Sequence, residues 1–173
     1  MSSTAAPLEV TEVGTPVGAL AIVADRGVVV ASGFTSVEDQ VGRLGAAMRA
    51  RGVVRRDDLG ALTDAVAAYL GGDAGALDAV PVRQPGGEFT QEAWRVMRMI
   101  PAGQTWTYTE LAAKAGRPSA ARAAGSACAR NLVAPFVPCH RVVRAGGSLG
   151  GYYYGVQVKR WLLDHERGVR SVL

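Results

Sequence analysis

Trp106-Thr107-Tyr108-Thr109-Glu110-Leu111-Ala112-Ala113-Lys114-Ala115-Gly116-Arg117-Pro118-Ser119-Ala120-Ala121-Arg122-Ala123-Ala124-Gly125-Ser126-Ala127-Cys128-Ala129-Arg130 decides how the second half of this chain folds. Thr107 with Glu110 three residues on is a capping box, and Trp106 is placed to staple against Leu111. The helix they open is short, about Tyr108 to Ala115, and Gly116 stands at its C-terminal end. Arg117-Pro118 is a tight connection, after which Ser119 is expected to cap a second helix, Ala120 to about Arg130. Two short helices joined by a Gly-Arg-Pro turn follow the helix-turn-helix pattern. The second helix carries mostly methyl groups or smaller, so its backbone can approach another surface closely, and Arg122 stands out from a flat face. Two readings fit that composition equally: an Ala-rich helix packed on its neighbours, or a DNA-facing helix whose arginine reaches into a groove.

Upstream, Phe89 before Thr90, with Trp94 following, reads as a hydrophobic staple around an N-cap. That helix is expected to bury Ala93, Val96, Met97 and Ile100 and to end at Pro101-Ala102-Gly103. Downstream, Asn131 leads through Leu132-Val133-Ala134-Pro135 into an apolar run, Phe136 to Val143. Pro138-Cys139-His140-Arg141 interrupts the run with a thiol, an imidazole and a guanidinium. The combination reads as a strand edge or tight turn holding a cysteine in a sheltered, polar-lined hole. Gly146 to Gly151 is turn-rich and lacks a phosphate-loop lysine. Tyr152-Tyr153-Tyr154 follows, and a last helix from about Val156 to Arg167 places Val158, Trp161, Leu162 and His165 inward.

Residues 8–33 look like a small antiparallel meander, with strands at Leu8–Val13, Ala19–Val23 and Val28–Ala31. Ser36 with Asp39 opens a helix with Val37, Val41, Leu44 and Met48 inward. Arg51 to Asp58 reads as a connection, and a further helix runs from about Leu59 to Leu70, stopped by Gly71-Gly72. Residues 71–87 read as a linker. The expected fold class is α+β: a scaffold domain over residues 1–85, built on a small antiparallel sheet with helices, and a mostly helical domain over 86–173 that contains the helix-turn-helix. No chemistry is visible in residues 1–85.

The 173 residues are 49% hydrophobic but only 6% aromatic, so much of the core is Ala and Val. No apolar run reaches the roughly 18 residues of a membrane helix, and Met1 to Pro7 lacks the basic-then-apolar order of a secretory signal. Cys128 and Cys139 have neither metal-ligand nor disulfide-scaffold spacing, and a reducing cytoplasm is the expected compartment. The net charge of +4 is unevenly spread: residues 1–85 carry −3 and residues 86–173 carry +7. A basic half that also holds the cysteine motif points to an acidic partner, nucleic acid first.

Cys139 is the candidate nucleophile. The thiolate is the reactive form, and a free cysteine with a pKa of about 8.5 is only slightly ionised at neutral pH. His140 is adjacent, but neighbours on an extended chain point to opposite sides, so a water between imidazole and sulfur is the expected proton path. The imidazole needs an orienting carboxylate. Glu166 in the last helix is the expected one, with Asp164 as the alternative.

Residues 89–168 resemble the C-terminal domain of the O6-alkylguanine-DNA alkyltransferases, the methylated-DNA–protein-cysteine methyltransferases. The matching segments are Tyr108-Thr109-Glu110-Leu111-Ala112, Ala121-Arg122-Ala123-Ala124-Gly125, Arg130-Asn131, Pro138-Cys139-His140-Arg141-Val142-Val143 and Lys159-Arg160-Trp161-Leu162-Leu163. Residues 8–33 resemble the family's N-terminal sheet more loosely. The resemblance implies binding of duplex DNA containing O6-alkylguanine, rotation of the damaged base out of the stack, and irreversible, single-turnover transfer of its alkyl group to Cys139. It implies catalytic roles for Cys139, His140, Glu166, Asn131 and Tyr108. It implies DNA contacts at Arg122, Tyr108, Ser119, Arg130, Ala123 and Gly125, with Arg122 filling the gap left by the base. Val142, Tyr152, Tyr153 and Tyr154 would wall the base pocket. No metal, organic cofactor or membrane is implied, and a monomer is expected. The sequence departs from the family in having Leu132 after Asn131, Ala134 with Pro135 displaced by one, and bulky Tyr153 and Tyr154 where small residues are usual. Two other classes compete with this reading: a non-catalytic lesion-binding protein, against which Cys139 itself argues, and a thiol hydrolase, which leaves the basic helix pair without a purpose.

Overall fold

A computed structural model describes residues 5–169. In chain order, β1 (Leu8–Thr15), β2 (Gly18–Asp25) and β3 (Val28–Gly33) are followed by α1 (Val37–Gly42), α2 (Ala46–Arg49), β4 (Val53–Arg55) and α3 (Ala61–Leu70). Then come α4 (Glu88–Met97), β5 (Trp106–Thr107), α5 (Tyr108–Lys114), α6 (Ala121–Arg130), a single 3-10 turn at Cys139–Arg141, β6 (Val142–Val143) and α7 (Val156–Glu166). The architecture is α+β. No helix among the described residues is long and apolar enough to cross a membrane.

The four-stranded sheet has the order β3-β2-β1-β4. The β1–β2–β3 meander is antiparallel as expected, but β4 lies parallel to β1, Leu8 opposite Val53. The sheet is therefore mixed, and part of the expected connection at 51–58 is a strand. Three residues are too few to show a period, which is why the pattern did not reveal it. From Leu20 to Asp25 β2 is buried on both faces, as a strand packed on two sides requires. Leu20, Ile22 and Ala24 enter the main core, while Ala21 and Val23 enter a smaller one with Val30, Val37 and Leu44. The main core draws on both halves: Leu20, Ile22, Val66 and Leu77 pack in one cluster with Trp94, Met97, Phe136 and Leu162. Each such side chain contributes about 1.5–3 kcal/mol on burial.

Side-chain caps set the starts of two helices. Ser36 accepts from Asp39 N in α1, and Thr107 accepts from Glu110 N in α5, both as expected. Two caps differ. Gly87, not Thr90, is the N-cap of α4, which places Thr90 inside the helix. Ala120, not Ser119, precedes α6, and its side chain makes no capping bond. There the backbone supplies the start instead, because Ala120 N is already held by Arg117 O at 2.9 Å.

Two junctions bring the reactive segment onto this frame. Ser32 in β3 donates from its amide to Leu132 O and from its hydroxyl to Ala134 O, each at 2.8 Å. Parallel pairing of β5 with β6 sets Trp106 opposite Val142, so Tyr108 enters α5 beside the Cys139 turn.

Candidate active site

Pro138 leads into a 3-10 turn rather than an extended strand, with Arg141 N bonded to Pro138 O at 2.9 Å. Of the two expected forms, strand edge or tight turn, the turn is found, and the Cys139 and His140 side chains meet different partners. Sγ of Cys139 accepts from Asn131 Nδ2 at 3.3 Å. His140 turns inward, its Nε2 2.7 Å from Glu166 Oε2.

Asn131 sits at the C-terminal end of α6 and is buried. Its Nδ2 also donates to Val137 O at 2.8 Å. Its Oδ1 accepts from Gln84 Nε2 at 3.0 Å and from Val133 N at 3.1 Å. All four bonds fix the amide orientation, so a donor and not an acceptor faces the sulfur. Burial pushes the Cys139 thiol above its ordinary value; the Asn131 hydrogen bond, and then the Lys159 and Arg43 charges, oppose that.

Behind the sulfur lies a buried charge network. Glu166 Oε2 accepts from Tyr69 Oη at 2.8 Å and faces His140, and Arg141 clasps both carboxylate oxygens through Nε at 2.8 Å and Nη2 at 3.2 Å. Arg141 also donates to Asp78 and to Ile100 O. Burial pushes the Glu166 carboxyl up, but His140 and then Arg141 outweigh it and hold the acid below the usual carboxylate range. A carboxylate facing Nε2 makes that nitrogen the N–H donor. Nδ1 is buried and has no hydrogen-bond partner among the described residues. Glu166, and not Asp164, therefore orients the imidazole.

Cys139 opens onto a cavity of about 250 Å³, slightly below the roughly 300–1,000 Å³ of drug-sized ligand pockets. Tyr108, Gly125, Asn131, Tyr152, Tyr153 and Tyr154 line it together with Cys128. Gly150 has φ +74° and a β-carbon there would stand 3.1 Å from Tyr108 Oη, so only glycine lets this segment close on the tyrosine. Val142 is not part of the lining. Its side chain is buried and its carbonyl accepts from Lys159 Nζ at 2.7 Å, a buried lysine that also reaches Gly151 O. Arg122, Ser119 and Arg130 lie outside the cavity as exposed residues, and Ala123 is half-buried. No cluster of three or more His, Cys, Asp or Glu among the described residues is arranged to hold a metal ion.

Sequence reasoning missed every contribution from the first half: Arg43, Gln40, Tyr69, Asp78 and Gln84 all reach the site or its support. Each acts across a long sequence separation, and none carries a local signal that marks it.

A family model described as the DNA-binding domain of 6-O-methylguanine DNA methyltransferase matches residues 88–168. A methylated-DNA–protein-cysteine methyltransferase of Salmonella typhimurium is 46% identical over 107 residues, 62% of this chain and 63% of that protein. One from Methanosarcina acetivorans is 43% identical over 99 residues, 57% of this chain and 63% of that protein. The matched region thus spans just under two thirds of those relatives. Among solved structures, Mycobacterium tuberculosis OGT in complex with DNA superposes with a TM-score of 0.77 at 31% identity, covering 92% of this chain and 93% of that one.

Proposed function

The chain belongs to the methylated-DNA–protein-cysteine methyltransferase family, and we propose that it repairs O6-alkylguanine in duplex DNA by moving the alkyl group onto Cys139. The observation that carries this reading is Cys139 Sγ, held by the Asn131 amide and open to a base-sized cavity, with the His140–Glu166 pair behind it.

Residues 86–173 dock the DNA and carry out the transfer, and residues 1–85 support them. α5 and α6 act as a helix-turn-helix. The small residues Ala123 and Gly125 let α6 approach the duplex, Ser119 and Arg130 contact the backbone, and Arg122 fills the gap left by the flipped guanine. Flipping is required because the O6 carbon is unreachable inside the stack. Tyr108, at the cavity wall, presses on the adjoining phosphate and offers its hydroxyl to guanine N3. Tyr152, Tyr153 and Tyr154 wall the base.

The thiol proton leaves through a water to His140 Nδ1, whose opposite nitrogen is held by Glu166. The imidazolium that forms is stabilised by that carboxylate. The sulfur attacks the alkyl carbon in line, the carbon–O6 bond breaks, and its electron pair stays on the guanine, which takes up a proton and leaves neutral. The product thioether has no good leaving group, so each chain reacts once. The chain acts as a monomer in the cytoplasm and uses no metal or organic cofactor. The test is intact mass after incubation with duplexes carrying O6-methylguanine or O6-benzylguanine. A single methyl adduct that is absent in Cys139→Ala supports the reading, and an unmodified wild-type mass overturns it.

A further inference from the structure

Tyr152, Tyr153 and Tyr154 follow one another along the cavity wall but do different things. The Tyr152 hydroxyl is buried without a partner among the described residues. Tyr153 is 58% exposed, with the Arg43 guanidinium 4.3 Å over its ring. Tyr154 lines the cavity with its ring but sends its hydroxyl across into the first half of the chain. There it donates to Ser32 O at 3.2 Å and accepts from Gln40 Nε2 at 2.9 Å and Arg43 Nη1 at 2.7 Å. One donation and two acceptances are the full capacity of a hydroxyl.

The socket is shaped for this side chain. A β-carbon at Gly33 would overlap the Tyr154 ring and hydroxyl, so the end of β3 admits the ring only because residue 33 is glycine. Phe34 meets the ring edge-on at 5.8 Å. Arg43 then continues to the nucleophile: its Nη2 donates to Asn131 O at 3.3 Å, and Asn131 Nδ2 donates to Cys139 Sγ.

We propose that Tyr154 is a positioning residue for alkyl transfer: seated in the Ser32–Gly33–Gln40–Arg43 socket, it holds the Gly146–Gly155 segment as the cavity wall facing Cys139. The inference rests on the repair reading above. The segment has little regular structure of its own, with positive φ at Gly146, Gly147, Gly150 and Gly155. Besides the socket, it is held by the Arg144–Ser148 turn, the Lys159 bond to Gly151 O, the Gly155 N bond to Tyr152 O, the Lys159 N bond to Gly155 O and the Arg43 guanidinium over the Tyr153 ring. A wall with so few internal restraints takes its place from its anchors. The bulk that distinguishes Tyr154 from the family's small residue is thereby spent in the sheet, and the first half of the chain sets how wide the cavity stands.

Tyr154→Phe keeps the ring and deletes three hydrogen bonds, and Arg43→Leu deletes their charged partner. Amide hydrogen exchange of residues 146–155 is measured on the free protein, and single-turnover transfer is measured on methyl and benzyl duplexes. Either variant is expected to raise exchange in that segment and slow methyl transfer, each by about tenfold, the size of one lost charge-assisted bond. The benzyl-to-methyl rate ratio should change, and the double variant should lose less than the two singles added together, because both break the Tyr154–Arg43 bond. Unchanged exchange in 146–155, unchanged transfer, or a rise in exchange spread equally over β1–β3 would each overturn the proposal. If the wild type itself forms no adduct, the repair reading falls and the transfer role with it, while the exchange arm still decides the anchoring.

Discussion

Replacing Asn131 by alanine separates what holds the fold from what activates the sulfur. The substitution removes four buried hydrogen bonds. Val137 O keeps its bond from Cys139 N at 2.9 Å. Two buried donors, Gln84 Nε2 and Val133 N, lose their acceptor. At about 1–3 kcal/mol for each orphaned group the variant should lose roughly 2–6 kcal/mol of stability, a large part of the about 5–15 kcal/mol of a typical domain. Urea unfolding reads that loss. The effect on the sulfur is distinct. A hydrogen bond to a charged acceptor contributes about 1.5–3 kcal/mol, so losing it should slow transfer by roughly 10- to 150-fold. The direction with pH follows from the thiol. Burial raises it and Asn131 lowers it, so the variant's thiol ionises at higher pH than the wild type's. The rate deficit should be largest at low pH and shrink as pH rises. Single-turnover transfer, measured where the variant is still folded, checks this. A rate within about twofold of wild type, or a deficit independent of pH, would refute the role given to Asn131.

Arg122→Ala should slow transfer on duplex DNA by about tenfold or more, since flipping costs a few kcal/mol, while thermal unfolding stays unchanged because the side chain is exposed. Affinity for undamaged duplex should fall with salt at a log–log slope of about −0.9 per phosphate contact, read by fluorescence anisotropy. Glu166→Gln leaves the Arg141 guanidinium buried without its main counter-charge and should cost about 3–5 kcal/mol at neutral pH. The Glu166 carboxyl is held below its unfolded value of about 4.3, so its contribution is present above that pH and lost as pH falls through the folded value. Wild-type and variant stabilities should therefore converge under acid conditions, measured by urea titration at a series of pH values.

The local half of this architecture was legible in the residues. Thr107 with Glu110 and Ser36 with Asp39 act over three residues, and both caps form as read. The imidazole's need for a carboxylate pointed to the end of the last helix, and of its two acids Glu166 is the one that meets His140. What stayed hidden was tertiary. Arg43 meets Tyr154 and Gln84 meets Asn131 only after the sheet and the second half have packed. The first half therefore looked inert, although it supplies Tyr69 to Glu166 and the socket to Tyr154. Ser119 had the right residue type for a cap, but α6 starts one residue later, after the Arg117–Ala120 turn, with Ala120 at the cap position.

Two thiols line the same cavity, Cys139 and Cys128, and burial followed by the neighbouring Cys139 pushes the Cys128 thiol well above its ordinary value. Titrating the protein with a duplex whose O6-methyl group carries an isotope label, then mapping the label by peptide mass, distinguishes them. The account predicts a plateau of one label per chain, all on Cys139, with no release on further addition of duplex. Label on Cys128, no label, or continued turnover beyond one equivalent would contradict it.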